Sequence, residues 1–209
     1  SARLSARASI LYVSGEESVQ QIAMRARRLQ LQTNDLEVMT ETDVDELLLV
    51  AAQCSPRILV VDSIQVMYNP DLQSAPGSVG QVREAAAMLT RFAKQSGTIV
   101  IMVGHVTKDG SLAGPKVLEH MIDASIMLEG QQDSRFRTLR AIKNRFGAVN
   151  ELGVFAMLES GLKDVKNPSA IFLSRDGEPA SGSVVTVTWE GTRPLLVEIQ
   201  ALIDQGFGA

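Results

Sequence analysis

Apolar and polar positions alternate along the first half of the chain in a strand-then-helix order. The apolar run 10–13 predicts a strand, and the polar segment 14–18 predicts a turn. Apolar residues then recur at the three- and four-residue spacing of a helix face, which predicts a helix. These residues are Val19, Ile22, Ala23, Ala26 and Leu29.

The same order returns twice before residue 104. A short strand is predicted at 36–38, and Asp43 with Glu46 three residues later has the pattern of a capping box that opens a helix to about Gln53. Continuous apolar strands separated by helices predict a parallel sheet covered on both faces. The remaining predicted elements are a strand at 58–62, a loop rich in Pro, Gly and Ser at 69–78, a helix through 82–92 and a strand at 98–103.

Beyond His105 the apolar runs become short and closely spaced, which predicts antiparallel strands that extend the same sheet. These runs lie at 121–128, 136–143, 153–158 and 162–165. Two further runs, 183–189 and 195–202, flank a turn at Glu190-Gly191 and predict a hairpin that starts a second domain.

Composition narrows the class of protein. With 209 residues, 45% of them hydrophobic, the chain can bury a core, and its net charge of −4 means that any nucleic-acid contact must come from a local basic cluster. Cys54 is the single cysteine, so no internal disulfide can form, and we expect its thiol to be buried. No apolar run approaches the roughly 20 residues of a membrane helix, and the first residues lack a signal-peptide pattern. We expect a cytoplasmic protein without a membrane partner.

The strand at 58–62 ends in Asp62, which is followed by Ser63. Four apolar β-formers ending in an acid are the pattern with which nucleotide hydrolases hold magnesium at the carboxyl edge of a sheet, here through water. An aspartate that only caps a buried strand is the alternative, and the local pattern does not separate the two.

Glu16 and Glu17 follow the strand at 10–13, so a parallel sheet would bring them to the same edge as Asp62. A carboxylate there can orient and deprotonate an attacking water. Alternatively, both favour the positive end of the following helix, which stabilises anionic side chains by about 0.3 to 1 kcal/mol. Glu16 is the stronger catalytic candidate.

The strand at 98–103 leads into a polar loop, 104–116, that carries three glycines and Lys108. Such a loop can sense a γ-phosphate and report it to a bound strand, and His105 stands at its start. His120 is interpreted as structural.

The segment 135–147 is the densest basic stretch of this acidic chain. In strand geometry Arg135, Arg137, Lys143 and Arg145 fall on one face, where they could meet the phosphates of a nucleotide or of DNA. A solvated basic edge that blocks aggregation is the alternative.

Four motifs resemble those of one family. They are 12–18 (Tyr-Val-Ser-Gly-Glu-Glu-Ser), 61–65 (Val-Asp-Ser-Ile-Gln), 104–110 (Gly-His-Val-Thr-Lys-Asp-Gly) and 143–147 (Lys-Asn-Arg-Phe-Gly). From about Ile10 onward the chain closely resembles the bacterial RadA (Sms) family of RecA-superfamily ATPases, and the last motif is that family's own. Clock-type ATPases and archaeal recombinases share the strand, acid and sensor but lack the run 143–147.

The resemblance implies an α/β fold, a RecA-like P-loop NTPase core with a mostly parallel sheet, flanking helices and an antiparallel extension. It divides the chain into a partial core, 1–168, incomplete at its N-terminus, and a segment 169–209 holding a linker and the first strands of a Lon-protease-like α+β domain.

The resemblance also implies roles for individual residues. Asp62 becomes the magnesium-side aspartate, Glu16 the water-activating carboxylate with Glu17 as its alternative, Ser63 and Glu17 nucleotide neighbours, and His105 the nucleotide sensor. Lys143 and Arg145 would reach the nucleotide of a neighbouring subunit. The residues expected to face DNA are Lys108, Arg135, Arg137 and Ser78 with the loop 69–78.

The cofactors implied are ATP and Mg²⁺. The family also has an N-terminal four-cysteine zinc finger, which these residues do not contain, so no zinc is expected here. The implied function is ATP-dependent loading of single-stranded DNA and branch migration in homologous recombination and repair. The implied partners are single-stranded DNA, branched recombination intermediates, the RecA recombinase and further copies in a hexameric ring.

One departure from the family changes the expected activity. No Gly-rich loop with Lys and Ser/Thr precedes Ile10, so nothing in these residues would cradle the β- and γ-phosphates. We therefore expect this chain not to hydrolyse ATP alone. An ATP-independent module that binds DNA or a partner, and an inactive remnant, are the alternative functions.

Overall fold

The chain divides into two compact units, Ser1–Asp123 and Ala124–Ala209. The computed structural model describes residues 1–5, 7–33, 36–105, 118–130, 134–149, 151–171, 173, 182–190, 193–201 and 203. The boundary near residue 168 between a nucleotide-binding core and a second domain stays a prediction. No helix in these described ranges is long and apolar enough to cross a membrane.

The first unit is built on a four-stranded parallel sheet in the order β2-β1-β3-β4. The predicted alternation of strands and helices is therefore confirmed. Its elements are α1 (Ala2–Ser5), β1 (Ile10–Ser14), α2 (Val19–Arg28), β2 (Leu36–Thr40), α3 (Val44–Cys54), β3 (Ile58–Asp62), a 3₁₀ helix (Ile64–Val66), α4 (Val79–Ser96) and β4 (Ile99–Val103).

The strand order decides which face each helix covers. The chain moves outward from β1 to β2 through α2, then back past β1 to β3 through α3, and onward to β4 through α4. Right-handed crossovers place helices on opposite faces when the chain moves in opposite directions along the sheet. Thus α3 and α4 share one face, where they contact each other, and α2 covers the other.

The face covered by α3 and α4 holds the core. Alternate residues of β1 and β3 point into it, and each is at most 2% exposed. By contrast, α2 contributes no fully buried residue. The core cluster consists of Leu11, Val13, Val44, Leu47, Ala51, Leu59, Val61, Ile64, Met67, Val82, Ala85, Ala86, Leu89 and Leu118.

Helix starts are set by side-chain caps, and one prediction about them is wrong. Asp43 accepts the N–H groups of Asp45 and Glu46 at the start of α3. Its own N–H donates to Glu41 Oε1 at 2.9 Å, so Glu46 does not complete the box. The reciprocal capping box is at α2, between Ser18 and the residue three positions on.

The second unit contains an antiparallel sheet in the order β5-β6-β7-β8 and a separate hairpin, β9-β10. The predicted strands are present, and within the described residues successive strands pair with one another across short connections. The elements are β5 (Ala124–Glu129), β6 (Phe136–Asn144), β7 (Leu152–Leu158), β8 (Gly161–Asp164), a 3₁₀ helix (Pro168–Ile171), β9 (Ser183–Glu190) and β10 (Arg193–Gln200).

Two smaller expectations end differently. Cys54 is the last residue of α3 and is exposed, contrary to the prediction of a buried thiol. The predicted hairpin is confirmed, whereas Gly191 of its turn lies outside the described residues.

Candidate functional site

The candidate site lies where the sheet changes its direction of winding. The connection after β1 leads outward to β2, and the connection after β3 leads the opposite way to β4. In open α/β sheets such a point leaves a crevice beyond the carboxyl ends of the two adjacent strands, and ligands bind there. Here those ends carry Glu16, Asp62 and Ser63.

The turn after β1 is fixed against β3. The Gly15 N–H donates to the Asp62 carbonyl oxygen at 2.9 Å, and the Glu17 N–H donates to Ser14 Oγ at 2.9 Å. A Cβ atom on Gly15 would lie 2.3 Å from Cγ2 of Val66, so this close approach requires glycine. The two glutamates are therefore presented by a rigid turn.

Glu16 is drawn into the crevice by two partners. The Ser63 hydroxyl donates to Glu16 Oε1, and His105 Nε2 lies 3.3 Å from the same oxygen. The Glu16 side chain is 40% exposed and that of His105 is 61% exposed, so both remain open to a ligand. The structure thus brings together three of the predicted site residues.

Glu17 points elsewhere. Its carboxylate forms an ion pair with Arg25 of α2, and its side chain is 27% exposed. The ion pair directs the Glu17 carboxylate toward α2, whereas Glu16 contacts Ser63, the residue next to Asp62. The arrangement favours Glu16 over Glu17 as the carboxylate of the crevice.

Asp62 is held by a side chain that the sequence interpretation gave no role. The Tyr12 hydroxyl donates to Asp62 Oδ2, across from β1 to β3. Burial, together with this hydrogen bond, raises the pKa of the Tyr12 phenol well above its ordinary value. The phenol therefore stays a proton donor at neutral pH. The peptide bond between Asp62 and Ser63 is cis.

Gln65 connects the ends of β3 and β4. Its Nε2 donates to the His105 carbonyl oxygen at 3.0 Å. Its Oε1 is buried and has no hydrogen-bond partner among the described residues. Gln65 was part of a motif without an assigned role, and its link to His105 joins segments 40 residues apart.

The loop 69–78 is held from beneath by one buried side chain. Gln81 of α4 is 1% exposed and accepts the Asn69 N–H at 2.7 Å. Its amide nitrogen donates to the carbonyls of Asn69, Leu72 and Ser74 at 3.1, 3.3 and 2.9 Å. Ser78 caps α4 through the Gln81 N–H. The loop is consequently an ordered exposed surface, and Ser78 serves as a cap.

The basic segment is not the single-faced row that strand alternation predicts. Ser125 pairs with Lys143 but Ile126 pairs with Ala141, so β6 contains one extra residue, a β-bulge. Neighbouring residues of β5 point to opposite faces, and their partners do the same. Lys143 therefore lies on the face opposite Arg137, which corrects the prediction.

The other cations of this segment differ in their surroundings. Arg137 donates to the carbonyls of Ser134 and Phe136 at 2.5 and 2.8 Å. Arg135, just before β6, is exposed and lies 5.0 Å from the centre of the Phe136 ring. Arg145 follows β6 and is exposed. Lys108 lies outside the described residues.

Asn144 braces the turn that follows β6. Its Oδ1 accepts the Phe146 N–H at 3.0 Å, and its Nδ2 donates to the Ala148 carbonyl at 3.4 Å. Phe146 is 82% exposed on this turn. The motif 143–147 thus forms an ordered turn that presents an aromatic ring beside Arg145.

A cleft of about 530 Å³ adjoins the crevice on the β2 side. The turn after β1 and the end of β2 line it, with Glu16, Glu17 and Glu41 as its charged members.

Within the described ranges no group of three or more His, Cys, Asp or Glu side chains could hold a metal ion. Magnesium in nucleotide sites is commonly held by one or two carboxylates together with phosphates and water. The oxygen donors of Asp62, Glu16 and Ser63 fit that pattern.

The fold is that of an α/β domain of the RecA type, with acidic side chains at the carboxyl edge of its parallel sheet. The chain belongs to the AAA domain family, whose model matches residues 2–111. The solved KaiC-like protein of Pyrococcus horikoshii OT3 has the same fold, with a TM-score of 0.61 and 16% identity over 78% of this chain and 79% of that one. The predicted fold class is confirmed.

The chain is also similar to curated bacterial proteins. It is 64% identical over 207 residues to the DNA repair protein RadA of Escherichia coli, which is 99% of this chain and 45% of that protein. The DNA repair protein RadA of Haemophilus influenzae is 67% identical over 93% of this chain, and that of Bacillus subtilis is 52% identical over 94%. The predicted relationship to bacterial RadA is confirmed, and the chain spans less than half the length of these relatives.

Proposed function

We propose that this chain is part of a RadA-type ATP-dependent DNA motor that acts in recombinational repair. The observation that carries the proposal is the meeting of Glu16, Ser63 and His105 beside Asp62 at the switch point of the sheet. Similarity to DNA repair proteins over nearly the whole chain supports it.

Each residue of the crevice has a role in this proposal. Asp62 would hold magnesium through water, and Glu16 would orient and deprotonate the attacking water. His105 contacts Glu16 and lies two residues beyond β4, so it can sense the nucleotide. Magnesium bound there would neutralise phosphate charge. Lys143 and Arg145 are proposed to act on the nucleotide of a neighbouring copy.

We assign the DNA contacts to the exposed loop 69–78, to Arg135 and to Lys108, which belongs to the motif 104–110. Arg137 is the weaker candidate, because its guanidinium already donates to main-chain carbonyls. We further propose that these 209 residues by themselves do not turn over ATP, since they contain no Gly-rich loop ending in Gly-Lys-Ser/Thr.

The proposal is tested by fluorescence-anisotropy titration of the 209-residue chain with labelled single-stranded DNA across a salt series, with and without Mg-ATP. We expect binding that weakens as salt rises, because phosphate contacts release counterions, and that is unaffected by Mg-ATP. Arg135→Ala should weaken binding and lower the salt dependence. The matched change Arg28→Ala, at an exposed position of α2, should not.

Each result has a clear meaning. Binding that Mg-ATP strengthens would show that the chain uses nucleotide unaided, contrary to the proposal. Absence of binding at low salt would remove the assignment of DNA contacts to these residues. Equal loss in the Arg135 and Arg28 variants would mean that net charge, and not the assigned surface, attracts the DNA.

A further inference from the structure

The two carboxylates of the crevice are held by hydroxyl groups from each other's strand. Ser63, after β3, donates to Glu16, and Tyr12 of β1 donates to Asp62. We propose that Tyr12 is a positioning residue that orients the Asp62 carboxylate toward a divalent cation. This inference rests on the proposed function, because it takes Asp62 as the magnesium-side aspartate.

The register of the sheet explains why Tyr12 reaches Asp62. Tyr12 pairs with Val60, so Asp62 lies two residues further along β3 on the same face. Two residues of strand span roughly 6.6 Å, a distance that the long tyrosine side chain can cover and that serine or threonine cannot. The position therefore requires a long side chain ending in a hydroxyl.

The environment of Tyr12 keeps this contact in place. The face that it shares with Asp62 is the one covered by α2, away from the fully buried core. The phenol is half-buried there, and its hydroxyl donates to Asp62 Oδ2.

The contact occupies one oxygen of Asp62 and leaves the other for a metal-bound water. Hydrogen bonds of this kind fix the orientation of a carboxylate that serves a metal, and removing them commonly weakens metal binding about 10- to 100-fold. Ser63 acts on Glu16 in the same way. The site is thus preorganised by residues that need not touch the cation.

The test measures Mn²⁺ binding to the full 209-residue chain by the EPR signal of free Mn²⁺, without nucleotide. Tyr12→Phe keeps the ring and removes the hydroxyl, and we expect about 10-fold weaker binding. Tyr68→Phe is the matched control, because Tyr68 is the second of the two tyrosines and makes its bridge to Asp43 through the main chain. It should leave the affinity unchanged. Asp62→Asn should abolish the binding.

Urea unfolding of each variant accompanies the titration, because a purely structural tyrosine would lower stability without a selective effect on Mn²⁺. A tenfold loss in Tyr12→Phe at nearly unchanged stability supports the inference. If Tyr12→Phe binds Mn²⁺ with the affinity of the unaltered chain while Asp62→Asn does not bind it, the inference is wrong and the proposed metal site is retained. If Asp62→Asn binds Mn²⁺ as well as the unaltered chain, the metal assignment fails and the inference fails with it.

Discussion

The two units differ in where they place their apolar side chains. In the first, alternate residues of β1 and β3 are fully buried beneath two helices. In the described part of the second, the buried apolar residues are Val154, Pro168 and Leu195, while Ile126 and Trp189 are 64% and 67% exposed. The helices that join parallel strands also cover the faces of their sheet, whereas hairpins and meanders leave one face exposed to solvent. Stability should therefore be concentrated in the first unit.

The largest expected contrast comes from removing an apolar side chain in each unit. Leu59→Ala in β3 creates a cavity at a position with 0% exposure and should cost about 2 to 5 kcal/mol of unfolding free energy. Ile126→Ala in β5 should change it by less than about 0.5 kcal/mol. Urea unfolding measures both. A large loss of unfolding free energy in the Ile126 variant would show that stability is not concentrated in the first unit.

The next effect concerns a buried polar group of the first unit. Gln81→Leu removes four hydrogen bonds to the loop 69–78 and should cost about 3 kcal/mol, since several main-chain groups lose a partner. Hydrogen exchange should speed up at the Asn69 amide. Gln53→Leu, at an exposed position of α3, is the matched control and should have little effect. Unaltered exchange at Asn69 would mean that the loop holds its shape without Gln81.

A tight backbone contact at the crevice gives a smaller effect. Gly15→Ala places a Cβ atom 2.3 Å from Val66, which should cost about 1 to 3 kcal/mol in unfolding free energy. Gly80→Ala in α4 serves as the control, because the added Cβ atom would lie an ordinary 3.6 Å from Ser74 Oγ. That change should be neutral or slightly stabilising. Equal stability of the two variants would show that the turn after β1 can shift to accommodate the added Cβ atom.

The smallest expected effect is at a helix cap. Asp43→Ala removes the acceptor for two N–H groups at the start of α3 and should lower the unfolding free energy by about 1 kcal/mol. Asp45→Ala, two residues further along and without a capping bond of its own side chain, should cost less. Thermal unfolding monitored by circular dichroism distinguishes them. A larger loss at Asp45 would mean that the helix dipole, and not the cap, dominates.

Much of the first unit could be predicted from local pattern. The strand at 58–62 was found with its observed bounds, because its apolar β-formers end in an acid and a serine. The second unit was harder, since strand alternation assumes an uninterrupted period of two. The bulge in β6 arises from pairing with β5 and moves Lys143 to the other face. The local sequence does not indicate this shift in pairing.

The residues of the candidate site likewise include some that local pattern predicts and others that it does not. Glu16, Asp62 and His105 could be proposed because each lies at or just beyond the end of an apolar strand, and parallel strands end at one edge of a sheet. Tyr12, Gln65 and Gln81 could not, because each acts on a segment that is distant in sequence or in an irregular loop. Their partners are chosen by register and by the path of the main chain.

Local patterns in the sequence are enough to predict that strands and helices alternate, that acids collect at one edge of the sheet, and that the chain resembles bacterial RadA. Periodicity and strand-end residues suffice for those conclusions because they depend on local geometry. The folded chain alone shows that Tyr12 holds Asp62, that Glu17 pairs with Arg25, and that Lys143 and Arg137 lie on opposite faces. The first and the last depend on register between strands, which a one-residue shift would reverse. The Glu17–Arg25 pair depends on how α2 lies beside the turn after β1.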